Sequence, residues 1–365
     1  MVNKICHVTS VHKPTDGRIF ERECVSLSKK YDVTLIAPNV NDYEKNGVSV
    51  KGVKLPHNRI IRLFSQRRVA KKALEIDADV YHFHDPELIP IGVKLKKAGK
   101  KVIFDSHENV PVLILGKTYI PYSIRKLVSR IYELYERKSF RKFDALVTVT
   151  PEIVERLKLI NPNTYMLTNF PLYRDYSNNR TWGRKIGFAG LVSPIWMLEN
   201  VIKAIEDIDV TFELAGPVSD EYLSKLKGLP AWKKVNYHGV ISHENVLKML
   251  GECSVGIAVS ADDNPNIGCK KGSIGVTKIF EYMMTGIPVI ATDLTSWVPI
   301  IHGNNCGISV NCHDIESIKN SINTLLSNLD LAKQMGDNGI RAVQNEFCWQ
   351  KQEETLYSLY SQFDK

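Results

Sequence analysis

The chain has 365 residues, of which 44% are hydrophobic and 24% charged, and it carries a formal net charge of +8. This composition excludes a disordered or fibrous chain, and no uninterrupted apolar run reaches the length of a membrane span. The length suffices for two domains of ordinary size, and the charge points to anionic partners without choosing among nucleic acid, acidic lipid and phosphorylated small molecules.

The opening MVNKICHVTSV enters a strand-like run directly, without a basic segment, apolar stretch and cleavage site, so we expect the chain in the cytosol or peripherally on the inner face of the cell membrane. Residues 4–11 read as a strand, 19–30 as a helix and 32–38 as a strand. Strands follow at 78–85, 101–105 and 145–150, with helices at 87–99 and 123–143. Short apolar runs alternating with helices predict parallel strands covered on both faces, a doubly wound α/β domain. Residues 175–184 (DYSNNRTWGR) are polar and aperiodic and read as a linker. The pattern then restarts, with strands at 185–189, 211–215, 235–240 and 255–259 and helices at 197–207 and 244–250. After a strand at 307–310 the chain reads as helical at 315–326, 331–346 and 350–362. We therefore divide it into an N-terminal domain (1–174), the linker, a second domain (185–346) and a C-terminal helix (347–365). The seven cysteines include no CxxC pair, which predicts free thiols.

Residues 262–293, DDNPNIGCKKGSIGVTKIFEYMMTGIPVIATD, hold the most informative stretch. A polar loop leads to a short helix with Thr277 at its N-cap and Gly286 as its stop, and Pro288 to Thr292 read as a buried strand. Ile279, Phe280, Met283 and Met284 share an apolar face, so Lys278, Glu281 and Tyr282 are expected on the other. A helix N-terminus with a lysine suits a phosphate, and a glutamate nearby suits the vicinal diol of a ribose. A solvated Lys278–Glu281 pair fits this segment equally well.

Five segments, in order, carry a resemblance: DGRIFERE (16–23), DVYHFHDPELIPIG (79–92), KVIFDSHENVP (101–111), TKIFEYMMTGIPVIATD (277–293) and the FCWQ that opens at 347. Together they make the chain resemble the retaining family-four glycosyltransferases of bacterial surface polysaccharide synthesis. The resemblance implies the GT-B architecture, in which two Rossmann-like domains face a cleft and the last helix crosses back to the first. It implies acceptor binding by the first domain and nucleotide-sugar binding by the second, with a donor of UDP or GDP type as co-substrate and no other cofactor. On this resemblance Glu281 matches the glutamate that holds the donor ribose and Lys278 a lysine found in the nearer subfamily. His107 matches a histidine beside the transferred sugar, and Gly17 a loop glycine close to the donor phosphates. His107 and Lys278 are the expected catalytic residues, and Arg18 and His84 are assigned to the acceptor.

Two departures stand out. No acid lies near Ser273, where the family has a first glutamate, and residues 190–200 (GLVSPIWMLEN) lack the usual arginine and lysine. Either Lys270, Lys271 and Lys278 neutralise the diphosphate, or donor binding is weak.

His82 and His84 alternate in YHFHDPE and share a face; we expect His82 in the core and His84 at the rim. Asp77 and Asp79 form a DxD string, but at the entrance of a strand, and Asp262–Asp263 lacks further oxygen ligands, so no metal is expected. Residues 117–142 are basic and aromatic. We expect this helix to pack its apolar face on the sheet, with a lipid-bound surface helix as the other reading and no nucleic-acid binding. The leading function is a retaining, metal-independent hexosyl transfer from a nucleoside diphosphate sugar to a hydroxyl of a glycan or lipid-linked glycan. The alternatives are a degenerate subunit that binds without turnover and a nucleotide-sugar epimerase. A nicotinamide dehydrogenase is disfavoured, because SVHKPTDG after the first strand has no GxGxxG turn.

Overall fold

The computed structural model describes residues 2–117, 119–176, 180–264 and 268–364. By its contacts the chain divides into one unit of Met1–Asn169 with Gln352–Lys365 and a second of Phe170–Lys351. Within the stretch expected as a linker, residues 177–179 lie outside the described ones. From Arg180 onward it is fastened to the second unit, through Arg180 to Asp337 (2.8 Å) and the Thr181 N–H to the Gly251 carbonyl (3.0 Å).

The first unit is built on eight strands: β1 (Lys4–Val8), β2 (Asp32–Pro38), β3 (Tyr43–Lys45), β4 (Val48–Val53), β5 (Val80–Phe83), β6 (Lys101–Ser106), β7 (Ala145–Thr148) and β8 (Thr164–Met166). Their order is β3-β4-β2-β1-β5-β6-β7-β8, parallel throughout except for β3 against β4. That hairpin was not anticipated, although its Asn46-Gly47 turn is a strong local signal: both residues have positive φ, as a two-residue hairpin turn requires. The helix expected at 19–30 is wound differently. Residues Ile19–Cys24 form a π-helical turn, with the Glu21 and Glu23 N–H groups bonded to the carbonyls of Asp16 and Arg18, five residues back. The C-terminal helix Trp349–Ser361 belongs to this unit from Gln352 onward: Leu356, Leu359 and Tyr360 are fully buried, and Glu353 accepts from Ser26 and Lys29.

One expectation is overturned here. The helix Tyr122–Phe140 does not bury its apolar stripe: Leu127 is 62% exposed and Ile131 58%, with Ile124 and Leu134 exposed as well. The side it does bury carries Glu136, Ser139 and Phe140.

The second unit is a six-stranded, all-parallel sheet of β9 (Lys185–Ala189), β10 (Thr211–Ala215), β11 (Val235–Tyr237), β12 (Val255–Ala258), β13 (Val289–Thr292) and β14 (Gly307–Val310), in the order β11-β10-β9-β12-β13-β14. The order reverses at β9, between β10 and β12, and in such sheets the crevice beyond the strand ends at this reversal is where ligands bind. The helix Lys278–Thr285 begins at Thr277 and stops at Gly286, whose φ of 75° is the left-handed conformation glycine tolerates. Thr277 occupies the N-cap position without capping: its backbone is helical and its hydroxyl takes no backbone N–H. Tyr282 is also not on a solvent face. It is fully buried, donating to the Ile257 carbonyl (3.1 Å), and its ring fills the space a side chain at Gly256 would need.

Candidate functional site

At the reversal of strand order the second unit has a cavity of about 470 Å³, reached by the ends of β9 and β10, the 240–246 segment and the start of the Lys278–Thr285 helix. Its floor is backbone. Gly190 and Gly216 approach so closely that a Cβ on Gly216 would lie 1.8 Å from the Gly190 carbonyl oxygen, and both have φ of 137°, which only glycine adopts readily. Thr277, Lys278 and Glu281 form one wall.

Lys278 is only 8% exposed, and its Nζ has no hydrogen-bond partner among the described residues. It lies 3.2 Å from the ring centroid of Trp196 and 3.6 Å from that of Phe188. Burial pushes its ammonium well below the usual lysine range, against the pull of Glu281. A buried amine without a partner is costly, and an anion in the cavity would supply one. Glu281 is turned the other way, 3.1 Å from His243 Nε2. Lys278 and Glu281 are therefore not the solvated pair that their spacing allowed. Lys270 and Lys271 sit on a short exposed turn, Cys269–Lys271, and neither lines this cavity; the expectation that they help Lys278 neutralise an anion has no geometric support in the described residues.

The other expected residues belong to the first unit. Gly17 lies in the exposed turn after β1, its carbonyl accepting from Arg22 Nη1 at 2.6 Å. His107 follows β6 and is partly exposed in a smaller cavity of about 170 Å³ that also takes in His12, His84, Asp85, Asp105 and Glu108. Its Nε2 stands 3.0 Å from Asp105 Oδ2. Asp105 is fully buried; burial favours its neutral form, but Arg18, His107 and His84 outweigh that and hold the carboxyl well below its usual range. Sequence reasoning recognised Asp105 only as a strand residue, and nothing in the local pattern marks it as the partner of His107.

Arg18 braces the first unit: it is 6% exposed, with Nε on Asp105 (2.8 Å) and Nη1 on the Leu167 carbonyl and Asn169 (2.6 and 2.7 Å), and only its Nη2 lacks a partner among the described residues, so the expected acceptor contact would fall to that nitrogen. His84, expected at the rim, is 3% exposed and links inward to His7 (Nε2 to Nδ1, 3.0 Å) and outward to Asp105 and His107 (both 3.5 Å). His82 is in the core as expected, on the Tyr360 hydroxyl at 2.9 Å.

His7, His82, His84 and Glu23 form a buried set of nitrogen and oxygen donors close enough to surround a cation. The chemistry of the surroundings disfavours one: Arg18 Nε lies 3.1 Å from Glu23 Oε1, and the facing nitrogens of His7 and His84 already bond each other. Asp77 pairs with Lys100, and Asp79 accepts from the N–H groups of Asn3 and Lys4, so the DxD string is tied up at the strand entrance. Among the described residues no helix is long and apolar enough to cross a membrane.

Two families match the chain: Glycosyltransferase Family 4 over residues 20–163 and Glycosyl transferases group 1 over residues 177–342. No curated protein sequence matches it. Sucrose-phosphate synthase from Thermosynechococcus elongatus shares the fold with a TM-score of 0.73 at 14% identity, covering 99% of this chain and 98% of that one. HepE from Anabaena, solved with UDP and glucose, gives a TM-score of 0.69 at 14% identity over 99% and 100% of the two chains. WaaG, a glycosyltransferase involved in lipopolysaccharide biosynthesis, gives 0.66 at 12% identity over 97% and 99%. With a parallel sheet of Rossmann type in each unit and a glycosyltransferase family matched on each half, the chain is a glycosyltransferase of the GT-B fold, family 4 in its first half and group 1 in its second.

Proposed function

We propose that the protein is a retaining hexosyltransferase that moves a sugar from a UDP or GDP donor to a hydroxyl of a glycan or lipid-linked glycan in surface polysaccharide synthesis. The observation that carries this reading is the buried, partnerless Nζ of Lys278 beside Glu281 at the glycine-floored cavity of the second unit. Lys278 meets the diphosphate and Glu281 the ribose hydroxyls, and His107, in its own cavity of the first unit, keeps the catalytic role that the resemblance implies. HepE, which shares the fold, was solved with UDP and glucose, and WaaG acts in lipopolysaccharide biosynthesis, which favours this substrate class. Glu281→Gln is expected to weaken UDP or GDP binding by about 1.5 to 3 kcal/mol, the range for hydrogen bonds to a charged group, with the fold intact. Titration calorimetry checks this, and an unchanged affinity would remove Glu281 from the site.

Transfer with retention requires the departing diphosphate to be stabilised while the hydroxyl attacks from the same face. Here the diphosphate oxygen accepts the proton of the attacking hydroxyl as the new glycosidic bond forms and the sugar–phosphate bond breaks. The charge is met by Lys278 and backbone N–H groups, so turnover should survive EDTA. Loss in EDTA restored by magnesium or manganese would overturn metal independence.

We assign the exposed stripe of Tyr122–Phe140 to an anionic lipid surface, where a lipid-linked acceptor would be found. Apolar Ile124, Leu127, Ile131 and Leu134 stand in water beside Lys126 and Arg130, a combination that fits acidic headgroups over acyl chains. The wild-type chain should float with phosphatidylglycerol vesicles, and Leu127→Asp with Ile131→Asp should abolish flotation without lowering the melting temperature. Equal flotation of the double variant would discard this surface.

A further inference from the structure

We propose that Trp196 is a positioning residue for the Lys278 ammonium, supplying an aromatic face where the loop that carries it supplies no cation. The inference rests on the donor-site reading and deepens it. Residues 190–200 contain neither arginine nor lysine, yet they form part of the cavity wall through Gly190 and Trp196. The segment is shaped to present that ring. A short turn, Pro194–Trp196, is followed by Met197 in the left-handed region (φ 44°), an uncommon conformation for a side-chain-bearing residue. Backbone bonds fix the turn: the Trp196 N–H donates to Ser193 (3.1 Å), and the Ala261 N–H to the Ile195 carbonyl (2.8 Å).

The indole packs edge-to-face on Phe188, with centroids 5.7 Å apart at 62°, and the Lys278 Nζ lies against both rings. At 3.2 and 3.6 Å from the centroids it lies within reach of both ring faces, whose negative charge attracts it once it is protonated. From above, Gly190 leaves room for it: a Cβ there would stand 3.2 Å from Nζ. The carboxylate on its own helix, Glu281, is engaged by His243, and the nearby Tyr282 hydroxyl donates to the Ile257 carbonyl. The rings thus hold the amine just behind the cavity wall, buried, with no hydrogen-bond acceptor among the described residues on any of its N–H donors. Those donors are left for phosphate oxygens, so one lysine held by two rings does the work of a pair of cations on the loop.

Nuclear magnetic resonance of the ligand-free chain tests the geometry first. The Lys278 ε-methylene protons should resonate upfield of every other lysine, shifted by the currents of both rings, and move part of the way back in Trp196→Leu, where Phe188 remains. Calorimetry then tests the role: Trp196→Leu should bind UDP or GDP about tenfold more weakly and uridine or guanosine as the wild type does, with Trp196→Phe recovering most of the loss. Absence of the upfield signal would overturn the proposal. Equal losses for nucleoside and diphosphate would also do so, since the ring would then be only a wall. Diphosphate binding that survives Trp196→Leu overturns the role of Trp196 alone, whereas a wild-type chain that shows the upfield signal but binds neither UDP nor GDP overturns the donor-site reading and this role with it.

Discussion

Replacing Lys278 by methionine should cut turnover by roughly 10²- to 10³-fold, the cost of removing one donor aimed at charge that develops in the transition state. Nucleoside diphosphate affinity should fall much less, because the bound diphosphate is already charged whereas the leaving oxygen gains charge as the sugar departs. Methionine is the informative choice. It keeps an unbranched apolar chain between the rings of Trp196 and Phe188, and it removes an amine that is buried without a partner, so the melting temperature should not drop. Measuring kcat and the UDP or GDP affinity of the purified variant separates the two effects. Normal turnover would mean that another group meets the leaving diphosphate and that the phosphate site has been misplaced.

Much of the architecture could be read from periodicity, because buried parallel strands are short continuous apolar runs. The ranges read for β9, β10 and β14 coincide with the observed ones. Elements not read from the sequence include the Asn46-Gly47 hairpin and the helices Gln66–Ile76, Pro151–Lys158, Asp220–Lys227 and Val298–Gly303. At the site, Lys278 and Glu281 could be named because both lie in the first turn of one helix, where chemistry follows from position. Trp196 could not. It comes from a separate strand end, and its contact with Lys278 depends on the Met197 backbone and the glycine at 190. The misreading of Tyr122–Phe140 has a similar origin. A 3.6-residue period shows that an apolar face exists and leaves open whether the protein covers it.

Acidification from about pH 6.5 to 4.5 should destabilise the full chain steeply, because of the histidines packed behind His107. His7 and His82 are held neutral well below the usual imidazole range and His84 is lowered to about 4, burial being the largest cause in each. In the unfolded chain they titrate near 6.5, so below that pH it binds protons the folded chain refuses. Their stabilising contribution is present above 6.5 and is lost as the pH falls toward the folded values. Glu23 runs the other way: burial raises it, so above about 4.5 the folded chain keeps a proton that the unfolded one releases. Asp105, held low, matters only below about 3.8, outside this window. Within this cluster three imidazoles against one carboxyl leave about two protons, a contribution to the slope of about 2.7 kcal/mol per pH unit at its steepest, from which the raised, buried Glu136 outside the cluster subtracts. Urea midpoints at pH 7, 6 and 5 measure it. In His82→Phe one imidazole is gone, and the lost Tyr360 contact is a constant offset, so the slope should shrink by about one proton, or about 1.4 kcal/mol per pH unit. Equal slopes for wild type and variant would mean that His82 titrates normally in the folded chain and that the cluster is wetter than its packing implies.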